Sequence, residues 1–568
     1  MEAVMCRSEE PQDKLNALRQ TRREETVLTG RKAADRLAPD ESGLRLPASL
    51  AACGRAARSG GDASTLRLVI VSNRVADPDQ DGQAGGLAVA LDEIFRVRRG
   101  LWFGWSGQVR RDADARPARN RRAENVDLVT LDLTPREYQD CYLGYANRCL
   151  WPILHYRTDL VEFRHSYAEA YQAVNRRFAE ALGPLLREDD LIWVHDYHLI
   201  PLARELRRLG YRQRIGFFLH VPFPPKEVFA SLPGYEEILS ALVAYDLLGF
   251  QTETDKACFL STMERLVGAR QDGHGQIDAF GQSVQVGVFP VGIDVDGFAE
   301  LATSPKARHH VERLLGALQD RDLIIGVDRL DYTKGLSHRF AAYRSLLERV
   351  PEWRNKVSLL QIAPLSRQEL GPYTVTREEL DRLSGEINGV FADLDWTPIR
   401  YHVKPLARST LAALFRASRV GLVTPLRDGM NLVAKEFVAA QDPADPGVLV
   451  LSRFAGAAEG MKEALIVNPH DVDGTADAIN QALTMPLDER LARHDALLQR
   501  LRKQDAQAWH RAFIDRLAAG KPASSAFPLE ADAPAPITAA LCNGSQPTSY
   551  RDRETPSNDQ LLDQEYEA

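Results

Sequence analysis

The sequence contains neither a long apolar run nor a paired-cysteine pattern. No stretch of its 568 residues approaches the ~18 uninterrupted apolar residues of a membrane-spanning helix. Its first thirty residues alternate acids and bases and lack the apolar segment of a signal peptide. No two cysteines have C-x-x-C spacing, so neither a disulfide framework nor a zinc knuckle is indicated; the six are Cys6, Cys53, Cys141, Cys149, Cys258 and Cys542. These absences predict a cytoplasmic protein with reduced thiols.

The chain also has little excess charge of either sign. Its 79 acidic and 71 basic residues give a net charge of -8, which is unfavourable for general binding of nucleic acid or of an anionic membrane. The 44% hydrophobic and 26% charged residues are near the globular average, which excludes collagen-like, coiled-coil and wholly disordered proteins. At roughly 150 residues per domain, the length allows two to four domains.

Both ends of the chain are poor in the residues that build a core. Residues 1–65 contain no Phe, Tyr or Trp, and residues 521–568 are rich in Pro, Ser, Ala and Asp. Such segments bury too little apolar surface to offset the entropy lost on ordering. We therefore expect two disordered arms, with Lys14–Arg23 as the one helix considered in the first.

Between the arms, short β-branched runs alternate with helical patterns. Most runs are continuously apolar, as in strands buried on both faces of a parallel sheet. The runs are Leu66–Val71, Leu191–Val194, Ile215–Leu219, Leu247–Phe250, Val284–Pro290, Leu323–Val327, Val357–Ile362, Ile399–Val403, Val420–Thr424, Val448–Leu451 and Ala464–Val467. Several lead into amphipathic segments, namely Leu199–Arg208, Leu336–Leu347, Thr410–Arg416 and Asn431–Ala440. This alternation predicts a doubly wound α/β fold.

Eleven strands exceed what one doubly wound sheet usually holds, and Val291–Leu301 is a plausible seam. We therefore predict two facing Rossmann-like domains, residues 66–298 and 299–520, with the last helix packing back on the first domain. Ligands of such sheets bind beyond the carboxyl ends of the strands. The residues that follow each run are thus the candidates for chemistry.

In the first half, polar residues follow three of the predicted strands. Gly85 and Gly86 precede a helix and could either cradle a phosphate with their amides or form a flexible turn. His195, Asp196, Tyr197 and His198 follow one run, and His220 follows the next along the chain. Acid/base chemistry, substrate hydrogen bonding, a metal site of His195, His198 and His220, and satisfied structural histidines all remain open at this stage.

In the second half, two charged loops each open a helix. Arg329 and Lys334 lie on a loop before a helix N-terminus, an arrangement that favours phosphate, although ion pairs with neighbouring aspartates would also explain them. Asp428 lies on a Gly-containing turn and could accept hydrogen bonds from ligand hydroxyls, with Glu436 within reach of a ribose diol. Neither G-x-G-x-x-G nor a P-loop motif is present. The residues therefore indicate a sugar nucleotide held between two α/β domains.

A longer series of motifs, in order from Leu66 to Leu517, resembles the trehalose-6-phosphate synthase family of glycosyltransferases. The motifs are LVIVSNR, AGGLAVAL, LWFGWSG, LWPILHY, WVHDYHLIPLARELR, IGFFLHVPFPP, LLGFQTETD, PVGID, VDRLDYTKGL, QIAPLSR, VGLVTPLRDGMNLVAKEFVAAQDP, GVLVLSRFAGAA and ALIVNPHD. The resemblance implies the two-domain GT-B fold. It further implies transfer of glucose from UDP-glucose to glucose 6-phosphate, with retention of configuration and without metal or cofactor.

The resemblance also implies roles for individual residues, and every position carries the family's residue type. Donor-binding residues would be Gly85, Gly86, Arg329, Lys334, Asp428, Gly429, Met430, Asn431, Leu432 and Glu436. Acceptor-binding residues would be Arg74, Tyr142, Trp151, Asp196 and Arg367. Catalytic residues would be His220, Asp196, Arg329, Lys334 and Asp428. By analogy with the family the protein would be a homo-oligomer, often a tetramer.

Other activities are compatible with parts of this pattern. A sister enzyme making glucosylglycerol phosphate or acting on cyclitols would share the fold, and a regulatory homologue could bind sugar phosphates without catalysis. Six D-x-D pairs occur, which we ascribe to chance among 79 acids. Asp471–Thr475 matches the D-x-D-G-T of haloacid-dehalogenase phosphatases, but too few residues follow it for that domain.

Overall fold

A computed structural model describes residues 66–520 except 76–90, 92–93, 96–97, 114–117, 124, 274, 320 and 368. The described strands form one ten-stranded and one six-stranded sheet. In chain order they are β1 Leu68–Arg74, β2 Gly100–Val109, β3 Arg119–Ala123, β4 Val126–Leu133, β5 Leu191–His195, β6 Arg214–Phe218, β7 Leu247–Phe250, β8 Arg270–Gln271, β9 Gln276–Ala279, β10 Gln282–Val288, β11 Asp322–Val327, β12 Val357–Ile362, β13 Ile399–His402, β14 Val420–Val423, β15 Val448–Ser452 and β16 Leu465–Val467.

The first sheet has the order β3-β4-β2-β1-β5-β6-β7-β10-β9-β8. Its seven central strands pair in parallel, while β3 and the β8–β9 pair run antiparallel at the edges. Strands β2 and β4 lie on one side of β1, and β5, β6 and β7 lie on its other side, so the direction in which strands are added reverses between β1 and β5. Open α/β sheets bind ligands outside the carboxyl ends of strands at such a reversal. The first sheet therefore directs the residues after β1, β5 and β6 toward a ligand site.

The second sheet has the order β13-β12-β11-β14-β15-β16 and is parallel throughout. Its order reverses between β11 and β14, which places the loops after these two strands at the corresponding ligand position. All six residues of β12 are buried, as are all four of β14. Burial on both faces explains why β14 is apolar throughout and β12 is mostly apolar, with Ser358 and Gln361 as its buried polar residues.

Helices cover both sheets. They are Trp151–Leu154, His165–Leu182, Leu202–Arg208, Lys226–Phe229, Tyr235–Leu242, Glu253–Val267, Val295–Ala302, Pro305–Leu318, Leu336–Arg349, Gly371–Phe391, Arg408–Arg416, Leu432–Ala440, Val472–Thr484, Leu487–Lys503 and Ala506–Ala519, and a π-helical segment spans Glu137–Leu150. We call the first sheet with its helices the first lobe and the second sheet with its helices the second lobe. No helix in the described ranges is both long and apolar enough to cross a bilayer.

The last helix, Ala506–Ala519, packs on the first sheet although it follows the second lobe in sequence. Its Phe513 ring stacks on Trp193 of β5 with centroids 4.4 Å apart. Its N-terminus is hydrogen bonded to the segment between the sheets, where Ala506 N–H donates to the Ile293 carbonyl at 3.2 Å. This helix therefore links the two lobes.

The α/β fold class with two parallel sheets is confirmed. Each of the eleven predicted runs overlaps a described strand, and the four predicted helices match to within a few residues. Five strands were missed, β2, β3, β4, β8 and β9. Helix Lys14–Arg23 and both predicted arms lie outside the described residues.

Candidate active site at the facing strand ends

The loop after β14 holds a carboxylate by contacts from two directions. Asp428 lies between Lys334, whose Nζ is 2.5 Å from Oδ2, and Asn431, whose Nδ2 donates to the same oxygen at 3.0 Å. The backbone of the loop is fixed as well, because Asp428 N–H donates to the Phe454 carbonyl. The side chain of Asp428 remains 15% exposed. It is therefore an oriented carboxylate with access to a ligand.

The turn that follows Asp428 leads into the helix Leu432–Ala440. Asn431 has φ +72° and caps this helix by accepting from Ala434 N–H. Among the described residues, none accepts a hydrogen bond from the backbone N–H groups of Gly429 to Leu432. These donors and the helix N-terminus favour anionic or hydroxyl oxygens. The Met430 side chain, by contrast, is buried in the core of the second lobe.

The loop after β11 carries the cations predicted to bind phosphate. Asp331 caps the turn Tyr332–Lys334 by accepting from Thr333 N–H, which places Lys334 at the turn's end. Lys334 is only 8% exposed, whereas Arg329 is exposed. Both side chains are cations at the carboxyl end of β11, and each can pair with an anionic ligand there.

In the first lobe, Asp196 connects the ends of two neighbouring strands. It follows β5 with φ +75°, a conformation that non-glycine residues rarely adopt. Its N–H donates to the Phe218 carbonyl at 2.8 Å, and its Oδ1 accepts from His220 N–H at 3.2 Å. Burial raises the pKa of Asp196 to about 6, against the opposing effects of Arg367 and Arg329. Both arginines come from the second lobe, so the charged loops of that lobe face this carboxylate.

The two lobes touch where these loops meet. A Cβ atom built on Gly429 would lie 2.1 Å from the carbonyl oxygen of His220. Real Cβ atoms do not approach an oxygen this closely, so the absence of a side chain at Gly429 allows the contact. The donor-side turn therefore lies directly against the residue predicted to sit at the reaction centre.

Replacing Gly429 with alanine is expected to reduce kcat about 10-fold without unfolding the protein. The added methyl group must displace the loop from His220, and small displacements of active-site groups lower the rate strongly. Initial rates and the Tm of the variant measure both effects. Gly460→Ala is the matched control, since its Cβ would have no neighbour nearer than 3.9 Å. A Gly429→Ala enzyme with normal kcat would contradict the close contact.

Arg367 is enclosed by residues from both lobes. Its guanidinium lies 4.0 Å from the ring centre of Trp151 and donates to Tyr197 Oη at 3.2 Å, both in the first lobe. On its own side it donates to Tyr373 Oη at 2.7 Å and lies 3.7 Å from Asp331. This cation is therefore held in a fixed orientation between the lobes.

The remaining acceptor-side residues lie along the first lobe. Tyr142 stacks on His198 and contacts Trp105, with ring centroids 5.9 Å and 5.3 Å apart. Trp105 pairs in register with Arg74 of β1. Arg74 is exposed, and its guanidinium lies over Gly107. Arg74 and Tyr142 therefore both lie next to Trp105, on the same surface of the first lobe.

Glu436 lies one turn into the helix Leu432–Ala440 and faces Arg408 at 3.6 Å. Burial raises the pKa of Glu436 to about 7, against the opposing charge of Arg408. Leu432 begins this helix. It packs against the core of the second lobe and against the apolar cluster that the last helix forms with the first sheet. Gly85 and Gly86 lie outside the described residues.

The raised pKa of Glu436 makes stability depend on pH. Between its ordinary value near 4.5 and about 7, the folded protein retains a proton that the unfolded chain releases, so stability falls as pH rises through this window. Glu436→Gln, which cannot ionise, should therefore raise Tm by a few degrees at pH 8 and leave it nearly unchanged at pH 4. Differential scanning calorimetry at both values, with the exposed Glu379→Gln as control, tests this expectation. An equal shift at both values would refute the assignment.

The histidines that could have formed a metal site are arranged differently. His195 Nδ1 and His220 Nε2 are hydrogen bonded to each other at 3.0 Å, while His198 stacks on Tyr142 and contacts the tilted ring of Tyr197. No cluster of three or more His, Cys, Asp or Glu residues suited to a metal occurs in the described ranges. The geometry is that of packed neutral rings.

Sequence reasoning missed several residues that shape this site. The hydroxyls of Tyr197 and Tyr373 orient Arg367. Asn431, which was predicted to contribute to the donor site, also orients Asp428 through its side chain. Arg427 lies over the Tyr156 ring and hydrogen bonds to its hydroxyl, a second contact between the lobes next to Asp428. For Arg427, its position next to the predicted Asp428 was the only available signal, whereas Tyr197 and Asn431 were named from the sequence without these contacts.

Two facing parallel α/β lobes, with oriented carboxylates and cations at their opposed strand ends, define a glycosyltransferase of the GT-B class. The family model for glycosyltransferase family 20 matches residues 65–519. The chain belongs to glycosyltransferase family 20.

Individual relatives agree with this assignment. A trehalose-6-phosphate synthase from Salmonella typhi is 48% identical over 451 residues, which cover 79% of this chain and 95% of the relative. A trehalose-phosphate synthase (UDP-forming) from Burkholderia xenovorans, solved with glucose 6-phosphate, is 48% identical with a TM-score of 0.77, covering 79% of this chain and 99% of that one. A structure from E. coli bound with UDP-2-fluoro glucose is 45% identical with a TM-score of 0.77, covering 80% and 100%.

Proposed function

We propose that this protein transfers glucose from UDP-glucose to glucose 6-phosphate, with retention of configuration, to give α,α-trehalose 6-phosphate and UDP. The observation that carries the proposal is the pair of enclosed cations that follow the neighbouring strands β11 and β12. Arg367 Nη1 lies 3.7 Å from the Asp331 carboxylate, and Lys334 Nζ lies 2.5 Å from the Asp428 carboxylate. Two cations on one framework can bind two phosphorylated ligands side by side. Relatives that bind glucose 6-phosphate and a UDP-glucose analogue support these two ligands.

On the donor side, Arg329 and Lys334 neutralise the diphosphate, assisted by the amides of Gly85 and Gly86. Asp428 accepts hydrogen bonds from the glucose hydroxyls, and the backbone from Gly429 to Leu432, including Met430 and Asn431, supplies N–H donors. Glu436 takes the ribose hydroxyls. The backbone donors of this turn, from which no described residue accepts a hydrogen bond, support the assignment.

On the acceptor side, Arg74, Tyr142 and Arg367 bind the phosphate of glucose 6-phosphate, and Trp151 packs beside the sugar. The orientation of the Arg367 fork by two tyrosine hydroxyls supports this assignment, because a fixed guanidinium suits bidentate phosphate binding. Asp196 holds acceptor hydroxyls. His220 lies beside the anomeric carbon of the donor.

The reaction proceeds on one face of the donor sugar. The bond from the anomeric carbon to the diphosphate oxygen breaks while a bond to the C1 hydroxyl oxygen of glucose 6-phosphate forms, and the hydroxyl proton passes to the departing diphosphate. Asp428 is held by Lys334 and Asn431, and Asp196 accepts from His220 N–H, so both carboxylates serve as hydrogen-bond acceptors instead of nucleophiles. The protein supplies positioning and charge stabilisation.

An assay of UDP release tests the proposed function. We expect rapid release with glucose 6-phosphate and much slower release with glycerol 3-phosphate or unphosphorylated glucose, because only the first fills both the phosphate and the hydroxyl sites. Mass spectrometry of the product should give a disaccharide monophosphate. Release that is equal for all acceptors, or absent for all of them, would overturn the proposal.

We expect the activity to survive EDTA, because Arg329 and Lys334 supply the charge that a metal would otherwise provide to the diphosphate. Rates measured after dialysis against EDTA should match those of the untreated enzyme within about twofold. An enzyme that loses all activity and regains it with Mg²⁺ would contradict this role of the two cations.

Three further expectations belong to this proposal. The protein acts in the cytoplasm, and it is a homo-oligomer, a tetramer by family analogy.

The boundary between the domains lies between residues 298 and 299, within the helix Val295–Ala302. The buried residues of this helix belong to the core of the second lobe.

A further inference from the structure

A buried pair of histidines lies at the ends of β5 and β6. His195 is fully enclosed, and its Nδ1 lies 3.0 Å from Nε2 of His220, which is partly exposed. Nitrogen atoms at this distance share one proton in a hydrogen bond, so one ring donates and the other accepts. The direction of that bond determines which nitrogen of His220 carries its own proton.

The surroundings of His195 are aromatic and apolar. Its ring centre lies 4.6 Å from that of Trp193 and 6.4 Å from that of Trp509 on the last helix. Its second nitrogen, Nε2, is buried without a hydrogen-bond partner in the described ranges. Burial lowers the pKa of His220 to about 3 and that of His195 below its ordinary range, so both rings are neutral at physiological pH.

Only two neutral arrangements satisfy the hydrogen bond. In one, His195 Nδ1–H donates to His220 Nε2, and His195 Nε2 is a bare acceptor. In the other, His220 donates, and an N–H group of His195 is buried with no acceptor among the described residues. Orphaned buried N–H groups are rarer than under-satisfied acceptors in proteins, so the first arrangement is favoured.

We infer that His195 is a positioning residue that donates its Nδ1–H to His220 Nε2 and thereby makes His220 Nδ1 a hydrogen-bond donor toward the substrates. The inference rests on the proposed function for the placement of His220 beside the reacting sugar. A neutral Nδ1–H donor binds a sugar oxygen at that point and cannot act as a base. His195 contributes without touching substrate, through the tautomer of its neighbour.

Neutron diffraction from crystals of the full chain exchanged into deuterium oxide tests the tautomer directly. We expect deuterium on Nδ1 of His195 and on Nδ1 of His220, with none on Nε2 of either ring. Deuterium on Nε2 of His220 would overturn the inference. This result does not depend on which acceptor the enzyme uses, so it is distinguishable from a failure of the proposed function.

A matched pair of variants tests the consequence for catalysis. Asn and Leu have nearly the same shape and leave the same space at position 195, but only Asn can donate to His220. We expect His195→Leu to lower kcat about 10-fold relative to His195→Asn, the scale of one hydrogen bond, with the KM for each substrate unchanged. Equal kcat values in two folded variants would overturn the inference. If neither variant folds, the neutron result on the unmodified protein decides.

Discussion

Replacing Lys334 with alanine is expected to lower kcat at least about 100-fold, which is the scale of removing a donor from developing negative charge. Lys334 is the enclosed cation of the β11 loop, and its Nζ lies 2.5 Å from Asp428. When UDP departs, negative charge accumulates on the diphosphate, and Lys334 is expected to stabilise it. Arg329→Ala should have an effect of the same order, because its guanidinium is assigned to the same diphosphate.

The Lys334 experiment needs a variant that separates charge from packing. Lys334→Gln keeps most of the length of the side chain and a hydrogen bond to Asp428 but removes the charge, so it should remain at least about 10-fold impaired. Lys356→Ala, an exposed lysine after the same lobe's helix Leu336–Arg349, should behave like the unmodified enzyme. Single-turnover rates with saturating substrates measure the effect. Near-normal turnover by a folded Lys334→Ala enzyme would rule out the role of this cation.

Replacing Arg367 with alanine should reduce kcat/KM for glucose 6-phosphate about 100-fold or more while changing KM for UDP-glucose little. The side chain is enclosed by Trp151, Tyr197 and Tyr373 and lies near Asp331. Removing a buried charge that binds an opposite charge on a ligand is costly, because the ligand phosphate loses its partner. The separation of effects on the two substrates identifies the ligand that Arg367 holds.

Arg367→Lys provides the conservative variant, since it keeps the charge and loses the planar fork. We expect an intermediate loss, about 10-fold, because the two oriented donors cannot both be replaced. Arg382→Ala is the control. Arg382 is an exposed arginine on the helix Gly371–Phe391, where it pairs with Glu386. Measured Tm values distinguish lost binding from lost folding. A folded Arg367→Ala enzyme with an unchanged KM for glucose 6-phosphate would remove Arg367 from the acceptor site.

The strands that the sequence predicted are those buried on both faces. Runs such as Leu323–Val327 and Val420–Val423 are continuously apolar because helices cover both sides of the sheet, and this burial is visible as a pattern in the sequence. Of the five missed strands, β3, β8 and β9 lie at the edges of the first sheet, whereas β2 and β4 lie inside it. In β3, RNRRA, four of the five residues are exposed, so its place in the sheet depends on pairing with β4 and leaves no apolar pattern.

The site was predictable in its residues but not in its contacts. Position after a buried strand identified Asp196, His220 and Asp428, since strand order directs such residues to one edge. The pairing of Lys334 with Asp428 joins residues 94 positions apart, and the fork of Arg367 is oriented by tyrosines of both lobes. The first contact depends on the strand order of the second sheet, and the contact of Arg367 with Tyr197 depends on how the lobes face each other. No local sequence pattern encodes either arrangement.

The configuration of the product tests the central claim most directly, that the two cation-held ligands react with retention of configuration at the anomeric carbon of the donor. The enzyme should be incubated with UDP-glucose labelled with ¹³C at C1 and with glucose 6-phosphate, and the product followed by NMR as it forms. The account predicts one UDP per disaccharide and an α,α linkage from the first turnover. A β-configured labelled sugar, or UDP formed together with free glucose, would contradict it.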